Sequence, residues 1–384
     1  MRFSSRALGV AESETLRLSN EAARLRAEGR EILSLLEGEP DLPVPAPVIR
    51  AVQDALAAGR TRYSASTGLP ELKAAIARKL RDENGVEAEA EDILVANGAK
   101  QIIYEVLQAL IEPGDEVLIP SPCWVTFPEA VKLAGGKPVL VPTGADHQLD
   151  PVALAGAVTA RTKAIILNSP NNPTGAVYPE ATLRAVATLA QKYDFTIIAD
   201  EAYEALVYDA ERQISIASLD ARTAERTVTV QTFSKSFAMT GFRVGYMAAP
   251  KTLVRAVAKI HSHVTGNACT FAQAGAVAAL GLGAPHREQW RAEHQKRRDV
   301  AYALGSKLFD CVKPQGGLFV FADARRHLGK SFRNSAELAE HFLYKASVAV
   351  VPGSAFGREG FLRLSFSAPE AALREAFARL EKSL

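Results

Sequence analysis

Six short runs in this chain are largely apolar at consecutive positions: residues 93–96, 117–119, 164–167, 196–199, 227–230 and 244–247. A strand that is apolar on both faces has to be covered on both faces. Between the runs lie apolar residues at helical spacing, such as Leu72, Ile76 and Leu80, or Ile102, Ile103, Val106, Leu107 and Leu110. The alternation predicts an α/β fold, a large three-layer α/β/α domain with a mostly parallel sheet over residues 45–284. The texture then changes to a charged helical stretch over 285–308, strand runs at 318–321, 347–350 and 361–366, and helical patterns at 336–345 and 369–384. These predict a smaller α+β domain over 285–384, with residues 1–44 packing against it. In the charged stretch Arg287, Arg291, Lys296, Arg297 and Arg298 interleave with Glu288, Glu293 and Asp299, which reads as a solvated connecting helix.

Length and charge narrow the partners. A chain of 384 residues has room for two or three domains. Lys and Arg number 45 against 43 Asp and Glu, so a footprint for nucleic acid is not expected. Three separated cysteines, Cys123, Cys269 and Cys311, build neither a disulfide framework nor a zinc site. His261 and His263 read as polar helix positions, so no metal is expected. No signal-peptide-like apolar segment and no membrane-spanning run is found, which places the expected protein in the cytoplasm.

Ligands of an open parallel sheet collect at the carboxyl ends of its strands. The run at 93–96 ends in Asn97-Gly98-Ala99-Lys100-Gln101 and a helix, which suits either a phosphate or an ordinary turn. The run at 164–167 ends in Asn168-Ser169-Pro170-Asn171-Asn172-Pro173-Thr174-Gly175, a rigid turn with amide donors. Asp200 directly follows 196–199, either as a desolvated carboxylate that needs a cation or as a helix N-cap. The run at 227–230 leads to Thr232-Phe233-Ser234-Lys235, and Arg243 follows eight positions after Lys235. A lysine among hydroxyls and other cations suits an amine nucleophile, and Arg243 suits a phosphate.

Together these residues resemble the pyridoxal-phosphate-dependent aminotransferases of fold type I, classes I and II. The matching phrases are Asn171-Asn172-Pro173-Thr174-Gly175, Asp200-Glu201-Ala202-Tyr203, Ser234-Lys235 and Gly241-Phe242-Arg243-Val244-Gly245. Gly38-Glu39-Pro40-Asp41, Arg62-Tyr63, Gly68-Leu69-Pro70 and Phe361-Leu362-Arg363-Leu364-Ser365 extend the likeness over nearly the whole chain. Gly98-Ala99-Lys100-Gln101 and Pro122-Cys123-Trp124-Val125 are most similar to the bacterial aspartate/prephenate branch. The resemblance implies the aspartate-aminotransferase-like fold and transfer of an amino group from an L-amino acid (aspartate, aromatic or neutral) to a 2-oxo acid such as 2-oxoglutarate. Lys235 would form a Schiff base with pyridoxal 5'-phosphate, Asp200 would pair with the ring nitrogen, and Trp124 would stack on the ring. Asn172 and Tyr203 would bond the ring oxygen, while Gly98, Ala99, Lys100, Thr232, Ser234 and Arg243 would hold the phosphate. Arg363 and Gly38 would hold the substrate carboxylate, with Trp124 and Asn172 beside it. Tyr63 would reach the phosphate of a second subunit, so a homodimer with shared sites is implied.

One departure bears on substrate choice. The branch carries a lysine shortly before a Ser-x-Thr run, but here Ser13-Glu14-Thr15 follows Ala11-Glu12. Two carboxylates facing the substrate would weaken a preference for aspartate. A PLP-dependent C–S β-lyase uses the same lysine and is the alternative reading. A cofactor-sensing DNA-binding regulator is not expected.

Overall fold

The computed structural model describes residues 1–209, 211–329 and 331–384. Strand β1 (Leu33–Ser34) precedes the strands of a seven-stranded sheet. These are β2 (Ile93–Ala96), β3 (Glu116–Ser121), β4 (Lys137–Pro142), β5 (Thr162–Asn168), β6 (Thr196–Asp200), β7 (Thr227–Thr232) and β8 (Gly245–Ala248). Their order in space is β2-β8-β7-β6-β5-β3-β4, and β8 alone runs against its neighbours. The expected mostly parallel α/β sheet is therefore present. β2, β3 and β8 are buried along their full length, as runs apolar on both faces require. β4 lies outside the six apolar runs. It is an edge strand, half open to solvent, with Pro138 and Pro142, so it lacks the pattern that marks the central strands.

Register sets the site. Asn168 pairs with Asp200, and Asp200 with Val230, so the carboxyl ends of β5, β6 and β7 finish side by side. A second, antiparallel sheet follows: β9 (Asp310–Cys311), β10 (Phe319–Asp323), β12 (Val351–Pro352) and β13 (Phe361–Ser365), in the order β12-β13-β10-β9. Between them β11 (Val348–Ala349) pairs with β1, which ties the N-terminal segment to this half of the chain. Arg363 sits mid-strand on β13, opposite Phe321 on one side and Val351 on the other.

The charged stretch forms one helix, Gly283–Leu308, but it is not a solvated connection. Trp290, His294, Arg297, Arg298, Ala301, Gly305 and Leu308 make a buried stripe along it. Arg298 is fully buried, paired with Asp209 at 3.0 Å, bonded to Pro314 O at 2.8 Å, and stacked on Tyr208 at 4.9 Å. Arg297 pairs with Asp41 and Glu293. Two such cations are tolerated inside only because each is matched. His261 likewise departs from expectation: it is buried on the helix Lys251–Val264, with Nδ1 2.9 Å from Glu105 Oε2.

Candidate active site

A cavity of about 340 Å³ opens where β5, β6 and β7 end, lined by Asn168, Asp200 and Thr232 from those ends. Lys235, Ser234, Tyr203, Asn172, Trp124, Ala99, Lys100 and Arg243 join them, and Gly38, Phe319 and Arg363 close it from the second half of the chain. Sequence reasoning singled out most of these. Gly98 and Tyr63 are not in the lining, and Tyr63 is 95% exposed.

The lysine is set up as an amine. Its Nζ donates to Gly38 O at 2.7 Å, and burial, outweighing Glu39, pushes the ammonium down to about 8. Among the described residues the Asp200 carboxylate receives only the Ala202 backbone N–H, on Oδ1 (3.2 Å), while burial pushes its carboxyl up to about 7. A buried acid with one weak donor is a seat for a cation.

A second cluster is made of donors. The helix Ala99–Leu110 starts behind Gly98, whose φ of 88° is open to glycine. A Cβ there would stand 2.6 Å from Arg243 Nη2, and one on Gly245 would stand 2.7 Å from Ala99 N, so both glycines keep this cradle tight. Arg243 donates to Thr240 O (2.8 Å) and Asn97 O (3.3 Å), and Thr232 Oγ1 and Ser234 Oγ lie 3.0 Å apart. A helix start, two hydroxyls and a guanidinium suit a phosphate dianion. With the acid seat of Asp200 and the amine of Lys235 in the same cavity, the residues fit pyridoxal phosphate.

The third element is a guanidinium. Arg363 donates to Asn172 Oδ1 (3.0 Å) and Leu36 O (2.6 Å), and its buried Nε has no partner among the described residues. Burial pushes it down to about 10, and its centre lies 4.1 Å over the Phe319 ring. Phe319 was not singled out from sequence; only its membership of an apolar strand run marked it. Lys100 Nζ lies 5.0 Å over Trp124, and burial with Arg243 pushes its ammonium down. A neighbouring cavity takes Glu12 and Glu14, and Glu14 is bonded to Arg17 at 2.6 Å. Neither carboxylate lines the cavity of Lys235, so they do not face a substrate there. Thr15 and Ser19 line it instead. Among the described residues no cluster of three metal-ligating side chains occurs, and no helix is long and apolar enough to cross a membrane.

The family model for aminotransferase class I and II matches residues 30–380. The chain is 42% identical to a probable aspartate/prephenate aminotransferase of Aquifex aeolicus, across all of this chain and 98% of that one. It is 37% identical to an aspartate aminotransferase of Bacillus subtilis, again across all of this chain and 98% of that one. The solved structure of an aspartate aminotransferase from Thermus thermophilus with maleate superposes with a TM-score of 0.95 at 38% identity, covering both chains fully. These matches favour transamination over β-elimination. The chain belongs to aminotransferase class I and II and is a pyridoxal-phosphate-dependent transaminase.

Proposed function

We propose that the amino donor is a dicarboxylic amino acid, L-aspartate first, and that the acceptor is a 2-oxo acid such as 2-oxoglutarate. The observation that carries this reading is a pair of cations lining one cavity, Arg363 with its unpartnered Nε and Lys100 over Trp124. Two carboxylates on one substrate match two such cations. Relatives named for aspartate, and a neighbour solved with the dicarboxylate maleate, support the same choice.

Bound in the cavity, pyridoxal phosphate supplies a carbonyl for the substrate amine and a ring that takes up the electron pair left at Cα. Lys235 Nζ would anchor the cofactor and, once freed, would carry the proton from Cα to the carbon of the cofactor's former carbonyl, so that the donor leaves as its oxo acid and its nitrogen stays behind. Burial brings the ammonium down to about 8, so a working share of the amine is uncharged near neutrality, as the proton transfer needs. Asp200 would hold the protonated ring nitrogen, Trp124 would stack on the ring, and Asn172 and Tyr203 would bond the ring oxygen. Gly98, Ala99, Thr232, Ser234 and Arg243 would hold the phosphate, with Lys100 at its rim. Arg363 forks the α-carboxylate with Gly38 beside it, and so orients the Cα–H bond. A side chain on Gly38 would come within 2.9 Å of Phe319, which is why that position stays bare.

Residues 45–284 form the cofactor-binding domain and 285–384 the smaller one, with 1–44 packed on it; the pairing of β1 with β11 supports that grouping. The working form is a homodimer in which Tyr63 of one copy reaches the phosphate of the other. The almost complete exposure of this tyrosine supports it, as does the joining of its loop to the start of the helix Thr270–Leu280 through Thr270 Oγ1 to Arg62 O (2.8 Å). Three unpaired cysteines support a cytoplasmic setting.

The test is a half-reaction. Cofactor-loaded enzyme mixed with one amino acid and no acceptor yields one equivalent of the matching oxo acid per site. L-aspartate is expected to give kcat/KM at least about tenfold above L-phenylalanine and L-alanine. A larger value for either of those two overturns the proposed donor.

A further inference from the structure

Lys235 belongs to a single-turn helix, Phe233–Ser236. The last four carbonyls of any helix have no partner within it, so a helix of four residues leaves all of its own unpaired. Two of them are met by one face of the long helix Gly283–Leu308. Trp290 Nε1–H donates to Lys235 O at 3.0 Å, and His286 Nε2 lies 3.0 Å from Ser236 O. A carbonyl only accepts, so this ring nitrogen carries the hydrogen. The two donors are four residues apart, one turn, and therefore point the same way.

Their rings belong to a row of packed aromatic side chains. His286 lies flat on Phe237, with centroids 5.3 Å apart and planes within 8°. Trp290 follows at 5.3 Å from His286, and His294 at 5.1 Å from Trp290. His294 Nδ1 bonds back to Trp290 O at 2.8 Å. Further along the helix, Ala301 and Leu308 pack in the apolar cluster that holds Phe319 and Leu364, next to Arg363. One helix thus touches the backbone of the amine and the core beneath the guanidinium.

We propose that Trp290 and His286 are positioning residues for Lys235, pinning the carbonyls of its helical turn to the long helix. The proposal rests on the reading of Lys235 as the reacting amine. Holding the Lys235 carbonyl fixes the direction of its Cα–Cβ bond, so the four-carbon side chain searches from a fixed origin. A reacting group displaced by about 1 Å loses on the order of 100-fold in rate, and loss of one of two pins is expected to cost about a tenth of that.

The experiment compares Trp290→Phe, which keeps the ring and removes the donor, with His286→Phe, which keeps the stack on Phe237, and His286→Gln, which restores an N–H. Three readouts are taken: covalent capture of added pyridoxal phosphate by the apo chain, amide hydrogen exchange over residues 235–238 of the apo chain, and kcat against KM. The expected result is capture and kcat lowered about tenfold in each Phe variant, with KM for the amino donor within about twofold. Exchange at 235–238 rises, and His286→Gln recovers most of the loss. Should one Phe variant not fold, the other carries the test. Unchanged capture, exchange and kcat in a folded Phe variant overturn the proposal. Lys235→Ala is run beside them: turnover surviving there sinks the reading of the amine instead, so the two failures are told apart.

Discussion

Asp200 and Glu201 are neighbours in the chain and about equally buried, yet they are treated in opposite ways. Glu201 accepts from Gln231 Nε2 at 2.9 Å, and the same amide donates to Glu204 at 2.9 Å. Glu204 in turn holds Lys79 and Asn84, and Lys79 Nζ also donates to Gln231 Oε1 at 2.6 Å. That cluster closes on itself. Asp200, one residue earlier, faces the cavity with a single backbone donor. Burial pushes both carboxyls up to about 7. The difference teaches where function lies: a buried polar group that the fold has satisfied holds structure, and one left open awaits a ligand.

The contrast breaks most visibly at Asp200. Asp200→Asn keeps the shape and removes the charge proposed to hold the ring nitrogen, so kcat should fall about 1000-fold, measured at saturating amino donor. Its apo melting temperature should hold or rise, because an uncompensated buried charge is gone. A loss below tenfold would make Asp200 no more functional than its neighbour. Lys79→Met is the mirror experiment. It removes the cation from the closed cluster and should cost about 3 kcal/mol in urea unfolding, while the folded fraction keeps kcat within about threefold.

A pH series sharpens the comparison with a smaller effect. In the unfolded chain both carboxyls release their protons near ordinary values, 3.8 and 4.5, while the fold retains them to about 7. Rising pH across that window therefore favours the unfolded chain, and apo stability should fall between about pH 4 and 7. Saturating pyridoxal phosphate should remove the share of Asp200 and leave that of Glu201. Glu201→Gln, the mildest change, should flatten the remaining slope with kcat within about twofold.

The same contrast explains what the sequence discloses. Strands buried on both faces are written as unbroken apolar runs, and the ends of β5, β6 and β7 carry Asn168, Asp200 and Thr232 where such a sheet binds ligands. Which way Asp200 and Glu201 turn is not written there, because it depends on Gln231 and Lys79, which come from other elements. The buried stripe of the long helix is hidden for the same reason. Arg297 and Arg298 look like solvated charge until Asp41 and Asp209, far away in the chain, arrive to pair with them. Edge strand β4 is half-exposed and proline-bounded, so it carries no strong period.

The proposed chemistry stands on Lys235 as the amine of this transaminase, where the strands of the large sheet end. Borohydride reduction of the cofactor-loaded chain, followed by peptide mass spectrometry, tests it directly. The mass of reduced pyridoxal phosphate is expected on the peptide carrying Lys235 and on no other lysine, with Lys235→Ala unlabelled and inactive. Label on Lys100, or turnover retained by Lys235→Ala, would place the reacting amine elsewhere.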